Sequence, residues 1–449
     1  MAKDKQGKLG LLDTTTILVG GMIGSAIFSL SGVTMAQAGP ASIISWIIAA
    51  IILFAFALLT AELATMFPHS GGVFVFPAKT LGKTEKQGKL WGWIAAWAYI
   101  FGCIAGAAFS AYFVGDYLAN AIPALRPYVI YFALAAVLFA GIVNVSKITA
   151  MGKINTGLTI GLAVTMLLFV GVAFFSGKWD AATMSPFFTQ GSGGTLGFMS
   201  AIPIAMVAFG AIVAAAYMVG EIKNPRKTIP KAMALAMTIV VILYIAMITA
   251  TLGLITADFL NSADGMGFQW APMTAAAIFS LSSTPWLVPV ITIAAILALL
   301  TTIIVVMALA GRTPESSAEC GILPRFLSKK SEKTNMPVNA QLVVMVIVGI
   351  FASIPNAMWL IVNFGALCNA IVIAIICVTI VVARKKNPDA EDVFRAPGGN
   401  ILPIITLIVI IAAYVPDILN GGWQLWAYTA GYFVIGLVIY FLGNLKKKA

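Results

Sequence analysis

The chain has 449 residues, 61% of them hydrophobic and only 10% charged, with a mean hydropathy of +1.00, far outside the range of a soluble domain. Its formal net charge of +11 would suit a nucleic-acid binder, but the Lys and Arg residues sit in short segments between apolar runs of about 20 residues or more. Those runs lack the alternation of barrel strands, which leaves helices as the spanning structure. The predicted fold class is an all-α integral membrane protein with about 12 transmembrane helices.

In chain order, residues 1–11 form a polar, basic tail, MAKDKQGKLGL. The first apolar run has no short core with a small-residue cleavage site, so no signal peptide is expected to be removed. Hydropathy with Gly and Pro punctuation places spans near 12–34, 41–66, 90–121, 127–145 and 154–176, an extracellular loop over 177–195, then spans near 196–221, 229–256, 286–311, 338–354 and 358–383. A cytoplasmic loop over 385–400 precedes spans 401–418 and 424–445, with a cytoplasmic tail at 446–449. With this division 25 of the 27 basic residues fall on one side, leaving only Arg126 and Lys178 on the other. The positive-inside rule then puts both termini in the cytoplasm. Trp91, Trp93, Trp286, Trp359, Trp423 and Trp426 lie near span ends, as an interfacial belt requires. Cys103, Cys320, Cys368 and Cys377 are scattered and suggest neither a disulfide nor a metal framework.

The first span reads ILVGGMIGSAIF, with Gly20, Gly21 and Gly24 at its centre, and the sixth reads MVAFGAIVAAAY around Gly210. One glycine cluster is equally well explained by close helix packing. Two interruptions five spans apart are the pattern of an inverted-repeat transporter, with the first and sixth helices broken at mid-membrane. The freed amides and carbonyls would suit the carboxylate and ammonium of an amino acid.

These segments resemble the amino acid/polyamine/organocation superfamily, permeases with the leucine-transporter fold. GSAIF (24–28), AELATMFPHSGGVFVF (61–76), EIKNPRKTIPKA (221–232), CGILPRFL (320–327) and FRAPGG (394–399) follow the family's order nearly end to end. The resemblance implies a 5+5 inverted repeat, residues 12–176 and 196–384, with two extra C-terminal helices over 401–445. It places the substrate carboxylate on Gly24, Ser25 and Ala26, with Ile23 beside them in the substrate site; the family's third motif residue is Gly, and the methyl of Ala26 narrows the approach. Phe209, Gly210, Ala211, Ile212 and Val213 would line the second break, with Val207 where relatives carry a gating aromatic. Cys103, Ala107, Ser110 and Asn369 are added from the third and tenth helices. Gly161 falls where many relatives carry a Lys. Thr301 and Thr302, with the Gly20 and Ile23 carbonyls, fall where sodium-coupled relatives bind the ion. Na+ is therefore a candidate coupling ion, and no other cofactor is implied.

Ionisable residues inside spans are functional candidates by default. Glu62, Glu221 and Asp116 lie near span ends, where pairing with loop Lys or Arg competes with a transport role. His69 could relay protons, and Thr301 and Thr302 could simply bond back to helix carbonyls. No cluster of catalytic residues suggests an enzyme. The reading is a secondary transporter of small neutral amino acids in the plasma membrane, working by alternating access. The alternatives are an amine, polyamine or cationic amino acid exchanger of the same fold and, behind them, a channel or a substrate sensor. Its partners are a small-molecule substrate and the lipid bilayer, with no nucleic acid. Oligomeric state is left open.

Overall fold

The computed structural model describes residues 9–24, 26–67, 72–146, 148–331, 336–388, 393–420 and 423–445. Among these residues the chain is helical throughout its regular structure, with one isolated parallel bridge between Leu9 and Ile222. Apolar runs satisfy every backbone group locally only as helices, which is why the composition produces this fold and no sheet.

The first apolar run is not one helix. Helix α1 (Leu11–Met22) stops, a π turn runs over Ala26–Leu30, and α2 (Ser31–Ala38) follows. Gly39, with φ +60°, and Pro40 then reverse the chain into α3 (Ser42–Met66), a left-handed position that glycine takes without penalty. After α4 (Gly72–Thr80) comes the longest helix, α5 (Glu85–Ala121), whose Thr84 hydroxyl accepts from the Gln87 amide as an N-cap. Helices α6 (Val129–Val145) and α7 (Ile148–Phe175) follow. Helix α8 (Gly197–Val207) is interrupted in turn: a 3-10 turn over Gly210–Val213 leads into the short α9 (Ala214–Tyr217), with a 41° bend between the two parts. Pro225 occupies the first position of α10 (Pro225–Leu252), where its missing N–H costs nothing. Two short helices, α11 (Ala257–Asn261) and α12 (Pro272–Ala275), precede α13 (Leu287–Glu319), α14 (Val338–Ala352), α15 (Met358–Lys386), α16 (Ile401–Asn420) and α17 (Trp423–Leu445).

Eight helical stretches among the described residues are long and apolar enough to cross a membrane, or nine when the bent α8–α9 pair counts as one. The structure is that of a multi-pass membrane protein. Helix α5 packs along α13, α15 and α6, while α1 lies against α10, α7 and α13. These helices bound the centre of the bundle, and both interruptions meet there.

Trp93 departs from the belt expected of it. It is wholly buried and donates to the Gly436 carbonyl of α17 at 2.7 Å, whereas Trp91 is exposed. Residues two apart on a helix lie about 200° apart around its axis, so both could not face outward.

Candidate functional site

Where α1 stops, its last carbonyls lose their intrahelical partners. The structure supplies replacements from distant tyrosines. Tyr244 of α10 donates its hydroxyl to the Met22 carbonyl and lies 3.5 Å from the Ala208 carbonyl, so one side chain touches both interruptions. Tyr117 of α5 donates to the Phe28 carbonyl at 2.6 Å. Trp46 holds Tyr244 edge-on, with ring centroids 5.1 Å apart, and donates its indole N–H to Thr34 at 2.9 Å.

Between the two interruptions lies a cavity of about 60 Å³. A water needs roughly 10–15 Å³, so the cavity has room for several groups of that size. Gly21, Met22, Gly24 and Ala26 form one wall, and Val207, Ala208, Gly210 and Ala211 the opposite one. Helix α5 contributes Tyr99, Gly102, Cys103, Gly106 and Phe109, α13 contributes Thr302, Val306 and Leu309, and α15 contributes Val362, Gly365, Ala366 and Asn369. Among the described residues no charged side chain lines it. Its polar groups are the Asn369 amide, the Tyr99 hydroxyl, the Cys103 thiol and the Thr302 hydroxyl. The Thr302 oxygen is buried with no hydrogen-bond partner in the structure. A side chain at Gly106 or Gly210 would meet nothing within 4 Å, so these two glycines leave the space open.

Of the residues singled out from the sequence, the structure brings Gly24, Ala26, Cys103, Gly210, Ala211, Asn369 and Thr302 to this cavity. It does not bring Gly20, Ile23, Ala107, Phe209, Ile212, Val213 or Thr301, which are buried in packing around it. Phe209 turns away to pack edge-on against Trp46 and at a tilt against Tyr244. Ala107 sits about 100° around α5 from Gly106, which faces the cavity. Ser110 bonds back to the Gly106 carbonyl at 2.7 Å. Thr301 donates to Ala298 at 2.8 Å and lies 3.4 Å from the Ile23 carbonyl. Ser25 and His69 lie outside the described residues. Tyr99 and Gly106, four before and three after Cys103, and Gly102, four before Gly106, were missed, although these spacings share a helical face. Val362, Gly365 and Ala366 lie seven, four and three before Asn369, again at helical spacing.

Gly161 is misplaced by the sequence reading. It is exposed, and a side chain there would touch only Leu297, at 3.9 Å. The buried stripe of α7 is Thr159, Leu162, Met166, Phe169 and Ala173, at helical spacing. Among the described residues that stripe carries no Lys.

The ionisable residues inside the spans sit away from the cavity and are paired. Glu62 is 0% exposed and accepts from Arg384 at 3.0 and 2.6 Å, from Arg395 at 3.3 Å and from the Ala396 amide at 2.8 Å. Glu221 pairs with Arg312 at 2.9 Å, and Asp116 with Arg126 at 2.7 Å.

An all-helical membrane bundle with an uncharged central cavity between two chain interruptions has the architecture of a solute carrier. Residues 9–439 match the amino acid permease family, and the chain belongs to that family. It is 28% identical to a branched-chain amino acid permease of Bacillus subtilis (strain 168), over 99% of this chain and 94% of that protein. It is 26% identical to a methylthioribose transporter of the same strain, over 98% and 93% of the two chains. A serine/threonine exchanger of that strain is 27% identical over 56% of each chain. The protein is thus a transport protein and not an enzyme.

Proposed function

We propose that the chain carries small to medium neutral α-amino acids across the plasma membrane by alternating access, with the substrate in the central cavity. The observation that carries this reading is the lining. Among the described residues it offers backbone from two interrupted helices and four neutral polar side-chain groups, with no carboxylate to pair with a second positive charge. The amides that open the helical segment after Gly24 suit the substrate carboxylate. Carbonyls at the ends of α1 and α8 suit its ammonium. The similarity to a branched-chain amino acid permease over almost all of both chains favours the same class.

Twelve spans account for the helices. The stretch Leu11–Met66, 56 residues long, would reach about 84 Å if straight, nearly three times a bilayer core of about 30 Å. Its reversal at Gly39 divides it in two. The bent α8–α9 pair and the shorter apolar helices Val338–Ala352 and Ile401–Val415 complete the number. We read α1 and α8 as the first halves of helices broken at mid-membrane, in two inverted repeats of five, with both termini cytoplasmic.

Sodium is the proposed coupling ion. The Thr301 hydroxyl faces the Ile23 carbonyl, and the unpartnered Thr302 hydroxyl faces Gly24. Two hydroxyls and a carbonyl thus converge on residues 23 and 24, neutral oxygens of the kind a hard cation takes. When bound, the ion would supply a fixed positive charge beside the first interruption.

Uptake of labelled alanine and leucine into proteoliposomes, with competition by arginine, agmatine, putrescine and methylthioribose, tests the substrate class. Alanine, serine and the branched-chain amino acids should compete best. Stronger displacement by the amines would replace this reading with an amine exchanger, and by methylthioribose with a thiosugar carrier.

A further inference from the structure

A second cavity, of about 20 Å³, lies directly behind the first, bounded by α3, α8, α15 and α16. The two are separated by a single layer of side chains. Tyr99, Val207, Gly210, Ala366 and Asn369 belong to the linings of both. At Gly210 that layer has no side chain at all, and an added one would stand in open space. The far walls of the second cavity are apolar: Leu53, Phe56, Val372 and Ile373 line it, and the Tyr414 hydroxyl is committed to the Ala366 carbonyl at 2.7 Å.

The sizes of the two cavities divide an amino acid between them. The first has about three times the volume of the second and is bordered by both interruptions, which suits the carboxylate, α-carbon and ammonium. The second is smaller, and its polar groups, the Tyr99 hydroxyl and the Asn369 amide, stand in the layer it shares with the first, so that its far walls are apolar. We propose that the second cavity receives the substrate's side chain beyond the β-carbon, that Gly210 is the aperture between the two, and that Val207 sets its width. This rests on the reading of the first cavity as an amino-acid site and adds the residues that select among side chains. A methyl at 210 would stand in the open passage and narrow it, and a smaller residue at 207 would widen it.

The test is the ratio of leucine to alanine affinity, measured by thermal shift on the purified full chain. In Gly210→Ala and in Val372→Phe, which fills the second cavity from its far wall, leucine should lose roughly ten- to two-hundredfold relative to alanine, the range for one misfitted methylene-sized group in an apolar pocket. Ratios within twofold of wild type in both variants overturn the proposal. Should Val372→Phe not yield a monodisperse protein, Phe56→Leu decides: enlarging the cavity should raise the phenylalanine to alanine ratio, and no change overturns it. A wild-type protein that binds neither alanine nor leucine overturns the amino-acid reading as well, whereas unmoved ratios on a protein that binds both overturn only the side-chain pocket.

Discussion

Thr302 stands against the bare α-carbon of Gly24: a Cβ there would lie 1.5 Å from the Thr302 hydroxyl oxygen and 2.7 Å from its Cβ. The close approach joins α13 to the first interruption at the wall of the central cavity, and only glycine at 24 permits it.

Gly24→Ala should therefore lower thermal stability as well as uptake, by about 1–3 kcal/mol for an overpacked core position. Thr302→Ala removes the nearest atom, so the double variant should recover part of the lost stability. A double-mutant cycle on melting temperatures measures the coupling, expected at about 0.5–3 kcal/mol for residues in contact. A cycle that closes at zero would mean the two residues do not press on one another.

The buried carboxylate of Glu62 ties α3 to α15 and to the loop before α16. Removing one partner of such a group costs about 3–5 kcal/mol. Glu62→Ala should be among the most destabilising single changes in the protein. Arg384, with a side chain 12% exposed, should matter more than Arg395, which is 39% exposed. Denaturation of the three alanine variants in detergent checks the order.

Tyr244→Phe removes a hydroxyl that serves the Met22 carbonyl, leaving a buried acceptor unpaired at a cost of about 1–3 kcal/mol. Because the same hydroxyl faces Ala208 across the second interruption, uptake should fall more than stability does. Comparing initial uptake rates with melting temperature separates the two. Equal losses would reduce Tyr244 to a packing residue.

Uptake into vesicles without internal substrate should rise with external sodium, and Thr302→Ala should weaken that dependence more than it weakens substrate binding at saturating sodium. Transport that requires internal substrate and ignores sodium would instead describe an exchanger.

Much of this architecture was legible in the residues. Apolar runs of bilayer length leave the backbone no choice but helix, and the glycine clusters at 20–24 and around 210 mark where the chain is interrupted. The five motifs, from GSAIF to FRAPGG, identified the family that the comparisons confirm. What the sequence could not decide was which side of each helix faces inward. Helix α7 is apolar on all sides, so nothing in its pattern distinguishes Gly161, which is exposed, from Thr159, which is buried. Phe209 and Gly210 are adjacent, yet one packs against Trp46 and Tyr244 while the other opens onto two cavities. In a membrane protein both the lipid-facing and the core-facing surfaces are apolar, so hydropathy carries no rotational information. Contacts between residues hundreds of positions apart, such as Glu62 with Arg384 and Tyr244 with Met22, supply it, and these form only when the helices pack.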